Sequence, residues 1–118
     1  MELKTIYSYN DLQSEIEDHN KHFLLLYKKG SDQSDCALSH LAKVDYTFDL
    51  LTADVVSVRD IHNLYSITSV PSLLEFQDGK LKNIIKGCQT LEYYSSLFNR
   101  NSSQSVKKNT GEKPAKRV

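Results

Sequence analysis

Cys36 and Cys88 are the two cysteines of this chain and its most evident reactive groups. A thiolate attacks a disulfide sulfur to form a mixed disulfide, and a nearby second thiol then resolves it. Cys36 has no cysteine three residues away on either side, because Gln33 and Ser39 stand there. The sequence therefore predicts that Cys36, if it reacts, acts as a single thiol.

The surroundings of Cys36 support two interpretations. A helix predicted from about Asp35 to Lys43 places Cys36 in its first turn, where free N–H groups and the helix dipole lower a thiol pKa. The carboxylates of Asp32 and Asp35 act in the opposite direction. His40, four residues after Cys36, is a candidate partner base on the same helix face. The alternatives are a solvated His40 and an inert, buried Cys36.

The hydrophobic pattern predicts the elements that must position these residues. The apolar run from His22 to Lys28 is typical of a central strand that is covered on both faces. Asp78-Gly79 separates two further apolar stretches and predicts a tight hairpin turn. The predicted strands are Glu2–Tyr7, His22–Lys28, Thr47–Asp54, Ser72–Gln77 and Lys80–Lys86, with helices beginning at Asn10, Asp35, Ser57 and Thr90. The resulting order is β-α-β-α-β-α-β-β-α.

The segment from Tyr65 to Lys80 resembles the second half of thioredoxins, where Tyr-x-Ile-x-(Ser/Gly)-(Val/Ile)-Pro-Thr precedes an apolar run and Gly-Lys. The resemblance implies an α/β thioredoxin fold, with a central mixed sheet flanked by helices. It also implies a cis Val70–Pro71 bond whose two residues align a bound substrate backbone. The loop containing Gly87 would border the same groove, and Cys88 beside it is a candidate resolving thiol. The alternative for Cys88 is an inert loop cysteine.

The resemblance leaves two registers open around Cys36. Thioredoxins have Trp-Cys-Gly-Pro-Cys at this point, whereas this chain has no Trp and a single cysteine here. In the thioredoxin register, Gln33 takes the first cysteine position and Cys36 the second. In the other register, Cys36 to Ser39 resembles the Cys-Gly-Phe-Ser of monothiol glutaredoxins, although Ala37 and Leu38 depart from it. A first-turn position for Cys36 favours the second register.

Composition predicts one cytoplasmic domain and a basic tail. The 118 residues are 39% hydrophobic and 25% charged, and the longest apolar run is too short to span a bilayer. No export signal opens the chain. Residues 1–98 are predicted to form the domain. Residues 99–118 are polar and basic, and are predicted to be disordered. The four scattered His and isolated glycines predict neither a metal site nor a cofactor.

These features predict a thioredoxin-like protein of thiol homeostasis that is at most a monothiol oxidoreductase. Its partners would be a client protein or a low-molecular-weight thiol, without membrane or specific nucleic-acid binding, and the chain would be a monomer. One alternative is a non-catalytic module that holds extended peptide in the groove of the fold. A second is a glutaredoxin-like carrier that shares an iron–sulfur cluster between two protomers through Cys36.

Overall fold

The computed structural model describes residues 3–44 and 49–103, with side chains up to residue 99. Within these residues, strands and helices alternate through the first half of the chain, and a hairpin and a helix follow. The strands are β1 (Leu3–Thr5), β2 (Lys21–Tyr27), β3 (Leu50–Asp54), β4 (Ser72–Gln77) and β5 (Lys80–Lys86). The helices are α1 (Tyr9–Ile16), α2 (Asp32–Lys43), α3 (Asp60–Leu64) and α4 (Leu91–Ser103). The predicted element order is confirmed.

The five strands form one mixed sheet in the order β1-β3-β2-β4-β5. β3 pairs in parallel with both β1 and β2, whereas β4 pairs antiparallel with β2 and β5. Parallel neighbours need a crossover connection, and α1 and α2 with their loops supply it. The sheet thus joins a parallel half to an antiparallel half at the central strand β2.

Each face of the sheet carries a separate hydrophobic core, because successive side chains of a strand point to opposite faces. Leu24 and Leu26 of β2 lie in the first core, and Phe23 and Leu25 lie in the second. All four side chains are buried, as predicted for a central strand covered on both sides. The second core is formed with α2 and α4, which are the elements that frame the cysteines. Its buried members are Phe23, Leu25, Ala37, Leu41, Val44, Leu50, Leu73, Ile85, Tyr94, Leu97 and Phe98.

The β4–β5 hairpin has the bounds that the sequence predicts. Asp78 and Gly79 form its turn, and both have positive φ, 56° and 76°. Such backbone angles suit Gly and are tolerated by Asp, which explains this pair at the turn. The Val70–Pro71 bond immediately before β4 is cis, the form that the thioredoxin-like motif implies. A proline at this point does not interrupt the sheet, because it precedes the strand.

Helix α4 is longer than predicted. It begins after Thr90, whose Oγ1 accepts a hydrogen bond from the Tyr93 backbone N–H at 3.0 Å, as expected for the predicted N-cap. It continues to Ser103, past the predicted domain boundary at residue 98. Once a helix is anchored, each added residue gains a backbone hydrogen bond without a new nucleation cost. The predicted tail from residue 104 onward lies outside the described residues. Within them, no helix is long and apolar enough to cross a membrane.

Candidate functional site

The helix that carries Cys36 begins earlier than predicted. α2 starts at Asp32, and the side chain of its N-cap, Ser31, accepts a hydrogen bond from the Ser34 backbone N–H. Ser34 is buried, and its hydroxyl accepts from the Lys28 backbone N–H at 2.9 Å, which fastens α2 to the end of β2. The polar residues just before the predicted helix start therefore form a capped first turn, since Ser and Asp are favoured at helix starts.

This start corrects the predicted position of Cys36. The residue lies in the second turn of α2 rather than the first. The free backbone N–H groups lie in the first turn, which contains Gln33 and not Cys36. The argument that favoured the glutaredoxin-like register is therefore wrong, because it depended on a first-turn Cys36. Ser39, the last residue of the glutaredoxin-like motif, is exposed one turn further along the helix.

Cys36 and Cys88 form a disulfide bond. Their Cα atoms are 5.8 Å apart although the residues are separated by 52 positions in the sequence. Cys36 is half-buried on α2, and Cys88 is half-buried in the loop between β5 and α4. Cys88 is therefore paired with Cys36 rather than an isolated loop cysteine. The second sulfur that the sequence around Cys36 lacks is supplied by another element of the fold.

The loop containing Cys88 is fixed beside the cis-proline segment. The Gly87 backbone N–H donates to the Pro71 carbonyl oxygen at 2.8 Å, which extends the pairing of β4 and β5 by one step. Gly87 has φ +77°, and an added Cβ would meet no atom within 4 Å. Glycine is therefore needed at this position for its backbone conformation rather than for space. Pro71 is buried and Val70 is half-buried, so the predicted substrate-aligning pair borders the Cys88 loop.

His40 faces the Cys88 loop from one turn beyond Cys36. Its Nδ1 lies 2.7 Å from the Gln89 carbonyl oxygen and 3.6 Å from Cys88 Sγ. A carbonyl only accepts hydrogen bonds, so Nδ1 carries the proton and donates it to Gln89. The same N–H lies close enough to Cys88 to stabilise a negative charge on that sulfur. The prediction that His40 shares the helix face of Cys36 agrees with this arrangement, but its hydrogen-bonding partner is the opposing loop.

Tyr94 supports the same loop from the hydrophobic core. Its hydroxyl accepts a hydrogen bond from the Gln89 backbone N–H at 3.1 Å and donates to the Gly87 carbonyl oxygen at 3.4 Å. Burial raises the pKa of Tyr94, partly offset by the Gln89 hydrogen bond, so the phenol keeps the proton that it donates. Tyr94, Gln89 and Ser34 are not among the residues that the sequence marks as candidates for the site. No short-range pattern marks these supporting contacts.

The site also contains a set of metal-ligand types. One ligand atom from each of Cys36, His40 and Cys88 lies within 4.8 Å of the other two, and all three residues are half-buried. The two elements that supply them, α2 and the β5–α4 loop, pack against the same core. The prediction of no metal site came from the absence of a paired-ligand motif in the sequence, a signal that does not detect ligands from distant segments.

The fold of this chain is similar to that of thioredoxins. A thioredoxin from Malassezia sympodialis superposes with a TM-score of 0.76 at 13% identity, over 86% of this chain and 94% of that chain. A mutant thioredoxin from Halobacterium salinarum gives 0.72 at 18% identity, over 86% and 92%. Fasciola hepatica thioredoxin gives 0.67 at 18% identity, over 83% and 98%.

These comparisons establish the thioredoxin fold, as the Val-Pro hairpin predicted. No protein-family model matches the sequence, and no curated protein matches it. At 13–18% identity the likeness defines the architecture, so the chemistry of this chain has to be argued from its own residues.

Proposed function

We propose that this protein carries out thiol–disulfide exchange through a redox couple formed by Cys36 and Cys88. The observation that carries the proposal is the disulfide between them, which lies beside the cis-proline segment of a thioredoxin fold. The couple replaces the Cys-x-x-Cys of thioredoxins with two sulfurs on different elements. The substrate would be a client protein or a low-molecular-weight thiol, with Val70 and Pro71 aligning the bound backbone.

The environment of Cys88 suits it to be the leaving group. An external thiolate attacks Cys36 Sγ, a new S–S bond forms there, and the electron pair of the broken bond leaves on Cys88. The His40 N–H, 3.6 Å from Cys88 Sγ, stabilises the resulting thiolate. A second external thiolate then attacks the mixed disulfide and frees Cys36. Two electrons pass from two thiols to the protein, and the reverse sequence reduces a client disulfide.

This mechanism changes the expectation for turnover. The sequence predicts a single-thiol Cys36 with little disulfide reductase activity, because no intramolecular step would expel the mixed disulfide. Cys88 provides such a step, since its sulfur is already within bonding distance of Cys36. The single-thiol reaction then describes the behaviour expected of a Cys88→Ser variant. No contact in the described residues specifically favours an iron–sulfur carrier, which stays a prediction.

The test is to equilibrate the protein with mixtures of reduced and oxidised glutathione and to identify each cysteine's state by mass spectrometry after alkylation. We expect the disulfide of the unmodified protein to open and close reversibly. Cys88→Ser should accumulate glutathione on Cys36 and lose disulfide reductase turnover. Ser39→Ala is the matched control on the same helix, and should exchange like the unmodified protein because Ser39 is exposed.

Two results would contradict the proposal. Turnover that survives Cys88→Ser would show that Cys36 acts alone. A disulfide that stays closed in a large excess of reduced glutathione would be structural. The protein would then be better described as a non-catalytic module that holds peptide beside Pro71.

A further inference from the structure

We infer that the reduced protein has a metal site formed by Cys36, His40 and Cys88, and that closing the disulfide abolishes it. Thiolate and imidazole are the ligands that Zn²⁺ prefers in tetrahedral sites, and two Cys with one His leave a fourth position open. The three ligand atoms already lie within 4.8 Å of one another in the disulfide form. The inference goes beyond disulfide exchange, and rests on the proposed function only in requiring that the disulfide can open.

The spacing of the backbone suits such a site. Zn–S and Zn–N bonds of about 2.3 Å and 2.0–2.1 Å place tetrahedral ligand atoms roughly 3.5–3.8 Å apart. The Cα atoms of Cys36 and Cys88, 5.8 Å apart, leave room for two sulfurs at that separation once the S–S bond is broken. Cys36 and His40 lie one turn apart on α2, so their side chains leave the helix in the same direction. Opening the disulfide frees both cysteine side chains to rotate, and the His40 ring has to turn its free nitrogen toward the two sulfurs.

The hydrogen bond of His40 prepares its ring for a metal. The Gln89 carbonyl holds the proton on Nδ1, so the neutral ring carries its lone pair on Nε2. Metal-bound histidines usually donate their other ring N–H to a carbonyl or carboxylate in this way, which fixes the tautomer and orients the ring. The Gln89 backbone is itself held by the Tyr94 hydroxyl. The Gln89 carbonyl is therefore in place to orient the ring of a metal-bound His40.

Oxidation would release the ion in a balanced step. A small disulfide such as glutathione disulfide accepts two electrons from the two metal-bound thiolates, which become the Cys36–Cys88 disulfide. The products are the protein disulfide, two glutathione thiolates and a free Zn²⁺ ion. The same two sulfurs cannot serve both states, because the disulfide leaves neither of them as a thiolate. Metal binding and disulfide formation therefore exclude each other at this site.

The test uses Co²⁺ as a spectroscopic probe. The full-length chain is reduced with a phosphine, freed of reductant without oxygen, and assayed for two titratable thiols before Co²⁺ is added. We expect one Co²⁺ per chain, with visible ligand-field bands and a thiolate charge-transfer band that Zn²⁺ removes. The disulfide form should give neither band. Zn²⁺ should also raise the Tm of the reduced protein and leave that of the disulfide form unchanged.

Variants separate the three-ligand site from binding by thiols alone. His40→Gln should weaken Co²⁺ binding at least about tenfold, because losing even a group that only supports a ligand costs roughly 10–100-fold in metal affinity. His19→Gln is the matched control, since His19 is exposed and contacts Asp78 at the hairpin turn. Equal affinity in the unmodified and His40→Gln proteins would overturn the three-ligand site.

The outcome for the metal site can be distinguished from that for disulfide exchange. Two free thiols without Co²⁺ binding would overturn the metal site and leave the exchange reaction intact. In another outcome, the phosphine opens the disulfide and the reduced protein binds Co²⁺, but reduced glutathione does not open the disulfide. That outcome would support the metal site and contradict the proposed exchange function.

Discussion

Two regions of the molecule meet at the Cys36–Cys88 disulfide, and they follow the thioredoxin pattern to different degrees. The β4–β5 hairpin keeps the cis Val70–Pro71 bond, the tight turn and a backbone contact from Gly87 to Pro71. The first two turns of α2 keep the helix but contain only one cysteine. The cis-proline segment thus agrees with the resemblance, whereas the second sulfur comes from a different element.

The difference shows that the two cysteines of a disulfide in this fold need not lie on one element. In Cys-x-x-Cys both sulfurs belong to one helix turn, so the bond between them closes a very short loop. Here the bond joins α2 to the β5–α4 loop across 52 positions of the sequence, and Cys88 packs against the second core. We therefore expect the state of the disulfide to affect the stability of the whole domain as well as the chemistry of the site.

The largest change in activity is expected when the second sulfur is returned to α2. In a Cys88→Ser background, Gln33→Cys creates Cys-x-x-Cys across the first and second turns, and we expect it to restore disulfide reductase turnover from background. Ser39→Cys in the same background places the new thiol beyond Cys36 and should restore much less. Turnover is measured by reduction of a protein disulfide. Better rescue by Ser39→Cys would instead support the glutaredoxin-like register.

Reducing the native disulfide should cause the largest loss of stability. A bond that closes a loop of 52 positions restricts the unfolded chain by about 4 kcal/mol in the chain-entropy relation, and measured values are typically about 2–4 kcal/mol. The Tm should therefore fall by roughly 10 °C or more on reduction. Calorimetry with and without a phosphine measures this effect. The variant with Gln33→Cys and Cys88→Ser should show a much smaller change, because its disulfide closes a short loop.

Tyr94→Phe should loosen the Cys88 loop while leaving the core filled. The substitution removes the hydroxyl that binds Gln89 N–H and the Gly87 carbonyl oxygen, at a cost of about 1–2 kcal/mol for the buried groups left unpaired. Chemical denaturation measures the loss. Tyr93→Phe is the matched control on the exposed side of α4, and should change stability by less than about 0.5 kcal/mol. Equal effects of the two variants would contradict a specific role for the Tyr94 hydroxyl.

The smallest effect is expected from removing the predicted tail. Truncation after Ser103 keeps all of α4. It should change the free energy of unfolding by no more than about 0.5 kcal/mol, because the removed residues are polar and basic and contribute little to a core. Thermal unfolding of the full and truncated chains measures this. A large fall in Tm would show that the basic segment docks on the acidic domain, where residues 1–100 have 10 Lys and Arg against 14 Asp and Glu.

The element order and the β4–β5 hairpin could be predicted from the sequence alone. Strands β4 and β5 lie where their apolar residues and Asp78-Gly79 predicted, and Thr90 caps α4. These features depend on residues close together in the chain, so local patterns are sufficient to reveal them. The start of α2 was missed although it is also local, because the same Ser and Asp residues favour both loops and capped helix turns.

The pairing of Cys36 with Cys88 is visible only in the three-dimensional structure. Cys88 and Gln89 reach Cys36 and His40 because β5 pairs with β4 beside Pro71, and because α2 and α4 pack on the same face of the sheet. No spacing in the sequence contains that information, because contacts between distant segments depend on strand order and core packing. Cys88 is visible in the sequence, but its proximity to Cys36 is a property of the fold.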